Sequence, residues 1–122
     1  SVSRIGDLLD EDPELFYEAK PMPGAIEAFN KLVEVYDVYL LTSAPWESLG
    51  SVKAKRLWVR KYLGAPAYKR IITSHHKNLM IGDYLIDDRT ANGAGEFKGE
   101  LIQFGTEKYL NWDIVLNYLK IN

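Results

Sequence analysis

Cysteine is absent from this 122-residue chain, which excludes disulfide frameworks, thiolate zinc sites and cysteine nucleophiles and makes a reducing, cytoplasmic address the expectation. No apolar run approaches the roughly 18 to 20 residues that a membrane span needs. The polar start Ser1-Val2-Ser3-Arg4 lacks the layout of a signal peptide. Charge of one sign is missing too: fifteen Lys and Arg stand against seventeen Asp and Glu, a formal net charge of −2. No long-range field therefore draws the chain to a nucleic-acid polymer or an anionic membrane. Histidine is scarce, and the adjacent pair His75-His76 points its rings in different directions with no third ligand at metal spacing. Repeats, low-complexity tracts and Pro- or Ser-rich linkers are lacking as well, so the chain reads as a single domain.

What is present is 47% hydrophobic residues, and a chain of this length buries about two-thirds of the surface its unfolded form exposes. Asp10-Glu11-Asp12-Pro13 looks like a helix start, with acids at the positive end of the dipole and Pro in the first turn, leading into Glu14-Leu15-Phe16-Tyr17. The turn Pro21-Met22-Pro23-Gly24 launches a helix over 25–35, with Ile26, Phe29, Leu32 and Val33 on one face. Asp37-Val38-Tyr39-Leu40-Leu41 is a continuous apolar run typical of a strand covered on both sides. A second helix is expected over 51–63, with Val52, Leu57, Trp58 and Leu63 available for packing and Gly64 as its stop. Strands over 70–73, 84–86 and 101–104 and a closing helix over 112–119 complete the pattern. Strands separated by helices or long crossovers imply a parallel sheet in a layered α/β domain. In such sheets ligands bind beyond the carboxyl ends of the strands, where the polar residues of this sequence cluster.

Three clusters carry candidate chemistry. Asp87-Asp88 follows an apolar strand; it is either a turn or cap pair or a Mg²⁺ site, since hard cations take carboxylate oxygens and adjacent acids repel one another without a cation. Thr42-Ser43 also closes a strand, as an N-cap for the next helix or as a holder of a phosphate oxygen at a helix N-terminus. Lys77, in the polar loop Ser74-His75-His76-Lys77-Asn78, is either a solvated loop lysine or the cation that lets an anionic substrate sit beside carboxylates. His75 is a loop residue within reach of such a substrate.

In order and spacing, these features resemble the haloacid dehalogenase superfamily of phosphatases. The likeness narrows to its 5′(3′)-deoxyribonucleotidase branch, the cytosolic type C 5′-nucleotidases. It rests on Phe16-Tyr17, Pro21-Met22-Pro23-Gly24-Ala25, Leu40-Leu41-Thr42-Ser43-Ala44-Pro45, the 58–64 stretch, Lys77 and Gly82-Asp83-Tyr84-Leu85-Ile86-Asp87-Asp88-Arg89, and extends from about residue 15 to residue 104. The resemblance implies a Rossmann-like three-layer α/β core over 21–122, a partial helical cap over 1–20, and Mg²⁺-dependent hydrolysis of nucleoside monophosphates or other small phosphomonoesters. It implies that Thr42 and Ser43 hold the phosphoryl group, that Lys77 balances charge, and that Asp88 ligates Mg²⁺ with Asp87 behind it or bridged by water. Phe16 and Tyr17 fall where family aromatics stack on the base, although an aromatic pair on a short helix otherwise serves packing.

The superfamily's first motif, an apolar strand followed by Asp-x-Asp whose first Asp forms an aspartyl-phosphate, has no clear counterpart. The only Asp-x-Asp is Asp10-Glu11-Asp12. It follows Ile5-Gly6-Asp7-Leu8-Leu9, a poor central strand, and only eight residues lie between Asp12 and Pro21, too few for a parallel crossover of about a dozen residues plus a cap. The chain is therefore expected to resemble the family from inside the cap onward. The sheet should then lack its central strand, with a gap between the Thr42 and Asp87 strands that argues for an upstream segment, a second copy or a rearranged sheet. A catalytically silent module that binds a phosphorylated ligand or a partner chain is the alternative from another class, and an unrelated α/β domain is the third.

Overall fold

The computed structural model describes the backbone of residues 2–6 and residues 20–121. Five strands run in the order β3-β2-β1-β4-β5: β1 is Val2–Gly6, β2 Asp37–Thr42, β3 Ile71–Thr73, β4 Tyr84–Asp87 and β5 Glu100–Gln103. Every pairing is parallel, with Gly6 opposite Leu41, Ile5 opposite both Leu40 and Ile86, and Asp87 opposite Gln103. The α/β class and the parallel sheet are as expected from sequence.

The expected gap is not there. Val2–Gly6 lies between β2 and β4 as the central strand and pairs with both. Ladder hydrogen bonds come from the backbone, so the polar Ser3 and Arg4 do not bar the segment from the slot, and an empty slot would leave two facing rows of N–H and C=O groups unpaired. The strand shares only Ile5 and Gly6 with the Ile5–Leu9 stretch. With the slot filled, the gap no longer gives a reason to expect a second copy. The acidic helix start at 10–17, with Phe16, Tyr17 and the Asp-x-Asp pair, lies outside the described residues, as do residues 7–19 of the cap expected over 1–20, whose residues 2–6 stand in the sheet.

Three described helices follow from their apolar spacing. Helix α1, Ala25–Leu32, buries Ala25, Ala28, Phe29 and Leu32. It starts at the expected turn, where Gly24 adopts a left-handed φ of 82°. It stops short of residue 35, whose Val side chain is exposed. Helix α2, Leu49–Tyr62, buries Ser51, Ala54, Lys55, Trp58 and Val59. Of the residues expected to pack, Trp58 and Leu63 are buried and Leu57 is half-buried, but Val52 is exposed and Lys55 lies on the inner face instead. Helix α3, Trp112–Tyr118, begins at Asn111, whose side chain accepts the Ile114 N–H at 3.0 Å.

Strand side chains alternate between two apolar clusters. Val38, Leu40, Ile86 and Ile102 join the helices in the main core, whereas Leu41 and Leu85 pack with Ala94 and Phe97. Among the described residues the second face is thus covered by Ala94, of the single-turn helix Ala94–Glu96, and by the Met80 and Phe97 side chains, rather than by an α-helix. The three-layer form expected from the resemblance is not reproduced there. All five strands point the same way, so their carboxyl ends share one edge.

Candidate functional site

Thr42 is the last residue of β2, and the next helix begins seven residues later, at Leu49. Its hydroxyl and that of Ser43 are therefore not N-caps, and they do not sit on a helix N-terminus. Both residues are buried. The Lys55 ammonium donates to Thr42 Oγ1 at 2.7 Å and to the Ser43 carbonyl at 2.6 Å. Lys55 lies on the inner face of α2, four residues after Ser51 and four before Val59, and is 2% exposed. A buried ammonium is strongly penalised unless hydrogen-bonded, and these two oxygens at the β2 terminus supply partners.

At the end of β4 the Asp87 side chain is fully committed. Its Oδ2 accepts from the Lys77 ammonium at 2.6 Å, and its Oδ1 from the Arg89 N–H at 3.1 Å. Lys77 is not a solvated loop residue: it opens the single turn Lys77–Leu79, and its side chain is 2% exposed against 1% for that of Asp87. The Asp87 carboxylate thus combines a turn role through Arg89 with a buried ion pair.

Asn92 joins the two strand ends. Its side-chain amide donates to Ser43 Oγ at 3.1 Å, and its carbonyl accepts the Lys77 N–H at 2.7 Å. A continuous chain of polar contacts thereby runs from Lys55 through Thr42, Ser43, Asn92 and Lys77 to Asp87.

The structure brings Thr42, Ser43, Lys77 and Asp87 together. Asp88 lies at the same edge but faces solvent, its side chain 53% exposed and 3.9 Å from Arg89 Nε. His75 is half-buried and enters none of these contacts. Sequence reasoning missed Lys55 and Asn92. A signal existed for Lys55, because helical spacing from Ser51, Ala54, Trp58 and Val59 puts position 55 on the buried face. None existed for Asn92, whose partner is 49 residues away along the chain.

Mg²⁺ is commonly held by one or two carboxylates, with waters and substrate phosphate completing its octahedron. Asp88, exposed beside a buried Asp87, fits that donor class. Among the described residues no group of three or more His, Asp or Glu is arranged around a common cation position. The ammonium groups, hydroxyls and carboxylates at this edge form a setting able to receive an oxyanion, with charge-assisted donors at hand.

Comparison with known proteins bears on what that oxyanion is. Residues 8–114 match the family described as 5′ nucleotidase, deoxy (Pyrimidine), cytosolic type C protein. A protein of Vibrio phage KVP40 named 5′(3′)-deoxyribonucleotidase is 57% identical over 110 residues, covering 90% of this chain and 65% of the relative. The human 5′(3′)-deoxyribonucleotidase, cytosolic type, is 35% identical over 89 residues, 70% of this chain and 44% of the relative. The human mitochondrial form is 33% identical over 88 residues, 65% of this chain and 36% of the relative. The chain thus spans between about one third and two thirds of the length of these proteins. With most of its length matched by the family and the strand-end residues gathered at one edge, the chain belongs to the cytosolic type C 5′(3′)-deoxyribonucleotidases of the haloacid dehalogenase superfamily.

Proposed function

We propose that this chain forms the phosphoryl-holding part of a Mg²⁺-dependent phosphatase acting on deoxyribonucleoside and ribonucleoside monophosphates. The observation that carries this reading is the convergence of Thr42, Ser43, Lys77, Asp87 and Asp88 on the carboxyl edge of one parallel sheet. On this reading residues 21–122 form the haloacid dehalogenase-type core, with residues 2–6 joining its sheet and the remainder of 1–20 contributing to a cap.

Thr42 and Ser43 bind the phosphoryl oxygens. Lys55 sets the position of both residues through Thr42 Oγ1 and the Ser43 carbonyl. Lys77, fixed in direction by Asp87, balances the charge on the phosphoryl group. Asp88 is the residue that would hold Mg²⁺, with Asp87 behind it, and the bound cation would supply charge neutralisation at the phosphoryl oxygens. Phe16, Tyr17 and His75 are assigned to the remainder of the nucleotide. By resemblance the reaction passes through an aspartyl-phosphate. The described residues supply holding and charge balance, and none of them is assigned the attacking carboxylate.

That division favours one second reading, a catalytically silent module that binds phosphorylated ligands. One experiment separates the two. Deoxyribonucleoside monophosphates are titrated with Mg²⁺ into the chain together with any sequence its gene encodes upstream of Ser1, binding is followed by calorimetry, and phosphate release is assayed in the same samples. Binding with release that stops on chelation supports the phosphatase; binding without release supports the silent module. No binding at all, or binding unchanged in Thr42→Val and Lys77→Met, overturns both.

A further inference from the structure

We propose that Asn92 is a positioning residue for the phosphoryl site, setting the Ser43 hydroxyl as a hydrogen-bond donor toward the ligand. The inference rests on the reading of Ser43 and Lys77 as phosphoryl-binding residues given above.

Asn92 lies in the turn after β4 with φ 54°, a left-handed conformation that few residues other than glycine adopt and in which Asn is enriched. From that conformation its two polar ends reach different strands' loops. The side-chain amide donates to Ser43 Oγ at 3.1 Å, and the carbonyl accepts the Lys77 N–H at 2.7 Å. The turn has little room to shift: at Gly93, φ 82°, an added Cβ would lie 2.3 Å from Asn78 Oδ1 and 2.9 Å from the Asn78 nitrogen. The 92–93 turn is therefore seated directly on the turn that presents Lys77.

The polarity of the Ser43 contact has a chemical consequence. A serine hydroxyl has one proton to donate and two lone pairs that accept. With the Asn92 amide pointing a hydrogen at Oγ, the Ser43 proton is directed to another acceptor. A dianionic phosphoryl group offers acceptors only, so a hydroxyl in this state binds it and one whose proton is engaged elsewhere does not. Aspartate at position 92 would keep the size and tolerate the same φ, yet it would accept the Ser43 proton and add a negative charge. Glycine would keep the φ and the carbonyl contact to Lys77 while deleting only the amide.

The test titrates inorganic phosphate into the 122-residue chain and its Asn92→Asp, Asn92→Gly, Ser43→Ala and Ser43→Ala/Asn92→Gly variants. Affinity is read by calorimetry, the bound-phosphate signal by phosphorus NMR, and thermal midpoints are recorded in parallel. The expected result is a loss of about three- to tenfold in affinity for Asn92→Gly, from removal of one neutral hydrogen bond. The loss is about tenfold or more for Asn92→Asp, where polarity is reversed and charge added. The double variant should bind no more weakly than Ser43→Ala, because Asn92 acts through Ser43; a residue that merely supports the fold would weaken both backgrounds alike. Phosphate affinity in Asn92→Asp equal to the parent, or effects of Asn92→Gly and Ser43→Ala that multiply, overturns the inference. Should Asn92→Asp fail to fold, the glycine and alanine cycle decides. Thr42→Val and Lys77→Met serve as references: if both lose phosphate while Asn92→Asp does not, the Asn92 inference alone falls. If the parent itself binds no phosphate, the underlying reading falls, and the inference with it.

Discussion

Replacing Lys77 by Met removes one half of a buried ion pair while keeping most of the side-chain volume. The Lys77 ammonium is 2.6 Å from Asp87 Oδ2, and both side chains are almost fully buried. Without it the Asp87 carboxylate keeps one hydrogen bond among the described residues, from the Arg89 N–H at 3.1 Å. Leaving such a charge uncompensated costs about 3–5 kcal/mol, a large part of the roughly 5–15 kcal/mol that holds a domain of this kind folded. At about 3–6 °C per kcal/mol for this size, the thermal midpoint should fall by about 9–30 °C. Urea unfolding followed by circular dichroism gives the free energy directly. Exchanging both partners, in Lys77→Met/Asp87→Leu, should recover most of the loss, because two apolar side chains owe no desolvation penalty. Phosphate binding should stay lost. A loss below about 1 kcal/mol in the single variant, or a double variant no more stable than the single, would refute the claim that this pair is energetically a buried one.

Three further outcomes are expected. Gly93→Ala combines a strained φ with a Cβ contact of 2.3 Å to Asn78 Oδ1, so it should destabilise by about 1–3 kcal/mol, measured by urea unfolding. Asn111→Ala removes the side-chain cap of α3, which accepts the Ile114 N–H; the expected loss is about 1 kcal/mol, or a few degrees in a melting curve. The Glu100 carboxylate that accepts the Tyr118 hydroxyl holds that phenol above its ordinary range, helped by Tyr109 and by partial burial. A phenol raised in the folded state stabilises it below the ordinary pKa of about 10 and loses that contribution as pH rises through the folded value. Tyr118→Phe should therefore flatten the decline in stability above about pH 10 and remove one late-titrating phenol from an ultraviolet absorbance titration. An unchanged titration curve would count against the Glu100 contact.

Part of this site was legible in the chain and part was not. The apolar run over 37–41 was legible as a strand covered on both faces and that over 84–86 as a strand, because a continuous apolar run has no solvent side; β2 and β4 each extend one residue further, to Thr42 and Asp87. Thr42, Ser43, Asp87 and Asp88 were legible as strand-end residues for the same reason: they are the first polar groups after such runs. The place of Lys55 on the inner face of α2 was missed because lysine looks like a surface residue by type; it is buried because the β2 terminus offers it a hydroxyl and a carbonyl. The central strand was missed because Ser3, Arg4 and Gly6 break any apolar run over it, whereas its place in the sheet depends on backbone pairing that β2 and β4 both leave open.

By itself, then, the sequence determined the α/β class, the order of the helices and strands from Ala25 onward and the residue types at the strand ends, since these follow from local periodicity and from where apolar runs stop. Only the tertiary structure decided which of those residues meet. The Lys77–Asp87 pair, the Lys55 hold on Thr42 and Ser43, and the Asn92 bridge between strand ends all join groups separated by ten to 49 residues. No local pattern encodes such distances; they arise because a parallel sheet brings every carboxyl end to one edge, where buried polar groups must find partners in one another.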